Sequence, residues 1–403
     1  MEPFGLTSIL LLCGTCLLFM AIQRKTSERR RMPPGPFPLP LIGNFLQLDT
    51  KNFPRSMEKL SQKYGPVFTI YLGSAPAVVL YGHDVVMEAL VTQGDEFTDR
   101  GASPILTKTT NGTGIGFSNG ETWKQIRHFA ETTLDMLGMG QNIEKKIQKE
   151  AGFLVERLKR RTFDPTSFLS QTTTNILCSI SFGKRFNYED KNFLRFLHLN
   201  VERKRIGISP PTLYNIFPTI LDYLPGSHQK IFKNTEELKQ FVSRQVDVHQ
   251  KTLQPEHPRD FIDAFLIKME QERQNSHSAF DHPNLVRSTL DLFTGGAQST
   301  SLVLKYGLLV VMKYPKKILQ EIDSVIGPSQ TPCMADLDKM PYTDAVIHEI
   351  HRCLALVPLN LPRTVIKDTF FRQYFIPKVS LAATYNLQVE IWYTSAIFSF
   401  FLN

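Results

Sequence analysis

Apolar residues recur at three- and four-residue spacing through GETWKQIRHFAETTLDML (120–137), IEKKIQKEAGFLVERLKRR (143–161), TEELKQFVSRQVDVHQKTL (235–253) and PRDFIDAFLIKMEQERQ (258–274). That period matches the turn of an α-helix, so each stretch is predicted helical with one face turned inward. Before them, GPVFTIYLG (65–73) and APAVVLYG (75–82) are rich in β-branched and aromatic residues and are separated by a short turn, which predicts a small antiparallel sheet near the start of the body. The longest periodic run extends from Asn284 to Tyr314 and stops at Pro315. Breakers such as SPPTLYNIFP and QPEHP contain or adjoin apolar residues, so they predict loops between helices rather than flexible linkers. The pattern as a whole reads as a mostly α fold with small antiparallel β-sheets.

Two stretches depart from this alternation. Residues 4–22, FGLTSILLLCGTCLLFMAI, carry no charge and are close to the ~20 residues that cross a bilayer core as a helix. RKTSERRR follows directly. Glu2 near the start and the lack of a small-residue cleavage site favour a retained anchor over a cleaved signal. The basic flank then predicts a single-pass protein with its body on the cytosolic face. At the other end the chain changes after Lys378 and closes on IFSFFLN; Leu387, Val389, Ile391 and Tyr393 alternate with Asn386, Gln388, Glu390 and Trp392 as in a half-buried strand. Between anchor and body, prolines at 33, 34, 36, 38 and 40 predict a stiff extended spacer, with Phe37, Leu39, Leu41 and Ile42 expected to be buried. The expected divisions are an anchor at 1–23, a basic and proline-rich hinge at 24–48, a body at 49–378 and a divergent tail at 379–403.

Composition refines this outline. At 403 residues and 42% hydrophobic content, the chain can bury a large core. A large share of its net charge of +8 sits in the cluster beside the anchor, so the basic balance is a topology signal and predicts no nucleic-acid partner. The five cysteines, Cys13, Cys16, Cys178, Cys333 and Cys353, form no CxxC pair and predict neither a disulfide framework nor a zinc site. With the body cytosolic, the NGT sequon at Asn111 carries no glycan.

Three local features hold candidate chemistry. Gly295 and Gly296 lie inside the long helix at a cost of about 2 kcal/mol relative to alanine. Two explanations stand side by side: close approach of another group, with Gln298, Ser299 and Thr300 beside it, or a tight helix crossing. Trp123 and Arg127, at i and i+4, share a face and offer an indole N–H and a guanidinium to one anion, unless they are an ordinary surface pair. Glu349 and Arg352, at i and i+3 in an otherwise apolar helix, are placed as a buried ion pair.

In order and at these separations the features resemble the microsomal cytochrome P-450 family, the heme-thiolate monooxygenases, and in particular its family 2, 2C-like group. The resemblance rests on PPGPFPLPLIGN, NGETWKQIRHF, FDPTSFLSQTTTNILCSISFGKRFNYEDKNF, LYNIFPTILDYLPGSHQKIFKN, PRDFIDAFLIKME, MPYTDAVIHEIHR and LPRTVIKDTFFRQYFIPK, with the long helix, and spans Met1 to Lys378. It implies a cytochrome P-450 fold with an N-terminal transmembrane helix, and heme as cofactor, held between the long helix and a cysteine loop. It further implies NADPH-cytochrome reductase as electron source, membrane lipid as a partner, lipophilic substrates such as xenobiotics, fatty acids and steroids, and location in the endoplasmic reticulum membrane. Heme-carboxylate contacts carry over to Arg100, Trp123, Arg127 and Arg363. Substrate contacts carry over to Phe117, to Leu292, Gly295 and Gly296, and to the Leu356–Leu361 loop including Leu361. Glu349 and Arg352 carry over as a structural ion pair.

The sequence departs from the family in two places. The acid and threonine that serve dioxygen binding and proton delivery are represented by Gln298 and Ser299; serine keeps a hydroxyl, but glutamine does not titrate. The glycine- and arginine-containing loop with the axial cysteine is absent after FIPK, and none of the five cysteines has its context, so no metal ligand is assigned. The expectation is a fold incomplete at the C-terminus and heme without thiolate ligation at the family position. Two classes of function follow: an architecture for monooxygenation, inactive in this chain for want of the cysteine, or a non-catalytic form acting as a membrane-bound binding or interaction protein.

Overall fold

The structure is a computed structural model that describes residues 31–49, 52–101, 103–137, 141–159, 164–207, 213–354, 361–378 and 380–385. The expected anchor at 4–22 and the alternating tail at 386–393 lie outside them. Among the described residues no helix is long and apolar enough to cross a membrane. The chain divides into two units, Met1–Gly101 with Leu359–Tyr385, and Ala102–Pro358 with Asn386–Asn403.

The first unit is built on a sheet. β1 (Val67–Leu72) and β2 (Ala75–Tyr81) pair antiparallel from Val67 opposite Leu80 to Leu72 opposite Ala75, as the two apolar runs predict. The sheet then continues through β7 (Leu381–Tyr385), β4 (Arg363–Thr364) and β3 (Asp99–Arg100) in the order β1-β2-β7-β4-β3. β2 and β7 run parallel, which corrects the expectation of purely antiparallel sheets. A parallel partner needs a distant segment, which short-range alternation does not signal. β7 also lies within the stretch read from the sequence as a divergent tail. Helix α1 (Phe53–Tyr64), started by Asn52 accepting from the Arg55 N–H and by proline in its first turn, lays Phe53 and Met57 on the sheet against Phe68, Ile70 and Val79. A separate hairpin joins β5 (Thr369–Phe371) to β6 (Tyr374–Ile376).

The proline-rich segment docks differently from expectation. Phe37, Leu39 and Leu41 are exposed. The backbone packs instead: Pro34 O accepts from Thr69 N at 2.8 Å, and a Cβ on Gly35 would meet Thr69 O at 1.9 Å. Buried Asn44 holds the turn, its Oδ1 accepting from Tyr71 N at 2.6 Å and its Nδ2 donating to Phe37 O at 3.2 Å. With its backbone edge against β1, the segment turns three of its apolar side chains outward.

The second unit is helical. Its helices include α2 (Pro104–Thr110), α3 (Gly114–Phe117), α4 (Gly120–Met136), α5 (Gln141–Leu158), α6 (Thr166–Ser181), α7 (Lys191–Gly207), α8 (Ser227–Thr252), α9 (Phe261–Gln271), α10 (His282–Lys313), α11 (Pro315–Val325) and α12 (Pro341–Leu354). The long helix starts at Asp281, whose side chain accepts from the Asn284 N–H, and Pro315 opens α11 at its end. The central core is aromatic: Phe196 stacks on Phe241 at 4.6 Å, Phe182 on Phe293 at 5.2 Å, and Phe129 meets Phe265 edge to face at 5.2 Å. α6 crosses α10 where the Thr173 hydroxyl donates to the Ala297 carbonyl at 2.9 Å.

Candidate functional site

The sequence-predicted residues fall into both units. In the first, Arg100 and Arg363 stand opposite each other on β3 and β4. Arg363 Nη1 donates to Phe97 O at 3.1 Å, and Gly101 N donates to Pro362 O at 2.9 Å. Gly101 keeps this corner tight, since a Cβ there would lie 2.4 Å from Leu381 Cδ2. The register thus sets two half-buried arginines directly opposite each other across β3 and β4. Leu361, also in this unit, is exposed. Leu356 lies outside the described residues.

In the second unit Trp123 and Arg127 share a face of α4, with the guanidinium carbon 5.1 Å from the indole centroid. Arg127 Nε also donates to Glu131 at 2.7 Å, and both partners of that ion pair are substantially exposed. The arginine is therefore already engaged on two sides, by an aromatic face and by a carboxylate.

Phe117 is brought against the long helix. The Gly114 N–H donates to Asn284 Oδ1 and the Gly116 N–H to Asp291 Oδ2, both at 2.9 Å, which fixes α3 on the first turns of α10. Gly114 has φ +85°, and a Cβ there would lie 2.4 Å from Arg287 Cγ. Only glycine suits such a position. Further along, Leu292 and Gly296 are buried, while a Cβ on Gly295 would meet nothing within 4 Å. The α6–α10 crossing is made at Ala297, so tight packing does not account for Gly295. The Ser299 hydroxyl donates back to the Gly295 carbonyl, and Gln298 O accepts from the Ser301 hydroxyl at 2.9 Å. Back-bonding of this kind occupies the Ser299 proton within its own helix.

Glu349 and Arg352 do pair, through Arg352 Nη2 to Glu349 Oε1 at 2.6 Å and Nε to Oε2 at 2.7 Å. The pair is not buried, with side chains 56% and 43% exposed. The outer face of α12 is open at this point, so the apolar neighbours in sequence do not enclose it. Arg352 and the Cys353 thiol hold the Glu349 carboxyl down to about 2.

The three described cysteines are free. Burial pushes the Cys178 thiol well up. Cys353 is exposed, yet its pKa is raised by desolvation and by Glu349. Cys333 is exposed beside the short helix that follows it. Burial at Cys178, and desolvation with the Glu349 carboxylate at Cys353, favour the protonated thiols in the metal-free chain.

Sequence reading missed two clusters. His249, Asp260 and Asp263 are buried together, with their ligand-type atoms within 4.8 Å of one another. His249 Nε2 bonds Asp260 Oδ2 at 2.8 Å, and Arg259 Nε and Nη2 donate to Asp263 at 2.5 and 2.8 Å. The other cluster is Arg287, 1% exposed, with its Nη2 2.6 Å from Asp291 Oδ1. The i, i+4 spacing of Arg287 and Asp291 was legible. Their burial was not.

The family described as Cytochrome P-450 matches residues 33–385. Cytochrome P-450 2H1 of Gallus gallus is 51% identical over 387 residues, which cover 94% of this chain and 78% of the relative. Cytochrome P-450 2C23 of Rattus norvegicus is 47% identical over 387 residues, with the same coverage of both chains. Cytochrome P-450 2C8 of Homo sapiens is 47% identical over 386 residues.

Proposed function

The chain belongs to the cytochrome P-450 family of monooxygenases, and from that premise we propose an architecture for inserting one oxygen atom of dioxygen into a lipophilic substrate. Electrons come from NADPH-cytochrome reductase, and residues 4–22 hold the body at the cytosolic face of the endoplasmic reticulum membrane. The observation that carries this reading is the Arg100–Arg363 pair facing across β3 and β4, a cationic seat matched to the carboxylates of heme. When bound with a thiolate ligand, heme supplies the oxygen-activating chemistry. The chain's own contribution is the open space at Gly295, the Phe117 ring held on the long helix by α3, and the apolar side chain of Leu292.

A second reading is favoured by the cysteines. Among the described cysteines, Cys178 is buried and Cys353 lies beside Glu349, both with raised pKa values, and we propose that these residues by themselves form a non-catalytic, membrane-bound binding protein of the same architecture. The two readings separate in a carbon monoxide difference spectrum of the reduced, membrane-expressed chain. We expect no band of thiolate-ligated heme. Its appearance would sink the non-catalytic reading, and its loss on Cys353→Ser or Cys178→Ser would name the ligand.

A further inference from the structure

The two halves of α10 differ in what covers them. The first half sinks Leu285, Leu290, Leu292 and Phe293 into the core. No residue of α10 after Val303 is buried. Leu302, Leu304, Tyr306, Leu308, Leu309 and Met312 are all exposed, Leu309 by 53% and Met312 by 77%. The described packing on this second half is narrow: Ile350 of α12 lies against Gly307, where a Cβ would stand 3.5 Å from its Cδ1, and α11 begins at Pro315. Leu319 on α11 and Ile347 on α12 are exposed as well. A helix that is apolar around most of its circumference is normally a covered one.

Charge narrows the choice of cover. Between Leu292 and Gln320 the sequence holds four lysines, Lys305, Lys313, Lys316 and Lys317, and no acid. Positions 302, 305, 309, 312 and 313 share one side of the helix, so Lys305 and Lys313 emerge among Leu302, Leu309 and Met312 rather than at the margin. A second copy of the same face would set lysines against lysines. The complement is an apolar segment with an acid in it, and the chain itself holds one. From Val379 to Asn403 the only charge is Glu390, and residues 391–402 are uncharged and include Ile391, Trp392, Ile397, Phe398, Phe400 and Phe401. Asn386–Asn403 belong to the same unit as α10. Joined in one chain, the two segments meet at a high effective concentration.

We propose that residues 386–402 are the cover of this face, their apolar side chains lying over Leu302, Leu309 and Met312 and the Glu390 carboxylate meeting Lys305 and Lys313. The contact is made within one chain and withdraws two apolar surfaces from water at once. The tail is thus a shield for α10 that keeps the helical unit from associating through its bare half. Neither heme nor monooxygenation enters this contact, so it is tested on the chain without either.

Hydrogen exchange of the full chain in uncharged detergent micelles is followed by mass spectrometry on peptides spanning 302–313. Deleting Asn386–Asn403 is expected to speed exchange there by roughly tenfold or more, because a helix without its cover opens locally more often. Glu390→Lys speeds it too, and adding Lys305→Glu with Lys313→Glu to Glu390→Lys restores the slow rate. In turn, Leu309→Glu with Met312→Lys speeds exchange within 391–402. Peptides of α6 exchange alike in every variant and report that the body is folded, and Glu390→Lys decides alone if the deletion does not fold. An exchange rate at 302–313 that ignores both the deletion and Glu390→Lys overturns the proposal. So does protection that falls on dilution, which assigns the face to a second copy, and so does protection that appears only with phosphatidylserine vesicles and equally without the tail, which assigns it to lipid. The monooxygenase reading fails separately, by the difference spectrum.

Discussion

Asp263 has no exposed surface, and both of its oxygens are engaged by Arg259, which is 43% exposed. Burial pushes its carboxyl up, but the Arg259 hydrogen bonds outweigh that and hold it below 3.8. Asp263→Ala is expected to cost about 2–3 kcal/mol in denaturant unfolding, less than the 3–5 kcal/mol of a fully buried pair because Arg259 regains water. Its neighbour His249 acts in another pH range. Burial lowers the His249 pKa most strongly of any one cause, but the Asp260 carboxylate, the Gln245 carbonyl and Asp263 together raise it by more, and the folded value ends above 6.5. The folded chain therefore binds this proton more tightly than the unfolded chain. The contribution is full below the unfolded pKa near 6.5 and is lost as pH rises through the folded value. Stability is expected to decline in the parent as pH rises above about 6.5, and to decline less in His249→Gln. An equal decline in both would assign the slope to other groups.

At the scale of elements, the joint between α3 and α10 is the most sensitive. Gly114→Ala combines a positive φ with a clash against the Arg287 side chain and the Asp291 carboxylate, and is expected to destabilise by about 2 kcal/mol or more. Gly295→Ala makes the contrasting case in the same helix. It meets open space, so the helix gains about 1 kcal/mol from the better helix former. Thermal unfolding of the two variants reads both signs at once, and a loss at Gly295 would mean that the open space is not real. The same helix shows what periodicity conveys: its length, Pro315 stop and inward face were legible, whereas the α6 crossing at Ala297 was not. Crossings depend on which two faces meet, and one strand of sequence holds only one of them.

Over the whole molecule, apolar surface is unevenly covered. On α10 the side chains of Leu302, Leu304, Leu308, Leu309 and Met312 are exposed, Met312 by 77%. Exposed apolar rows of this kind drive association. Leu309→Glu with Met312→Lys is expected to raise the monomer fraction of detergent-solubilised protein in sedimentation, and an unchanged distribution would locate self-association elsewhere. The sequence by itself determined the helical class, the β1–β2 pairing, the long helix with its two glycines and the family, because these follow from local periodicity, turn residues and ordered motifs. It also placed Trp123 with Arg127 and Glu349 with Arg352, since helical spacing brings i, i+3 and i, i+4 residues together. Only the tertiary structure decided that Arg100 is paired in register with Arg363, that β7 inserts parallel to β2, that the Glu349–Arg352 pair lies open, and that Arg287 is buried with two donors unmet among the described residues. Each of these depends on segments far apart in the chain, and burial is a property of what covers a residue rather than of the residue itself.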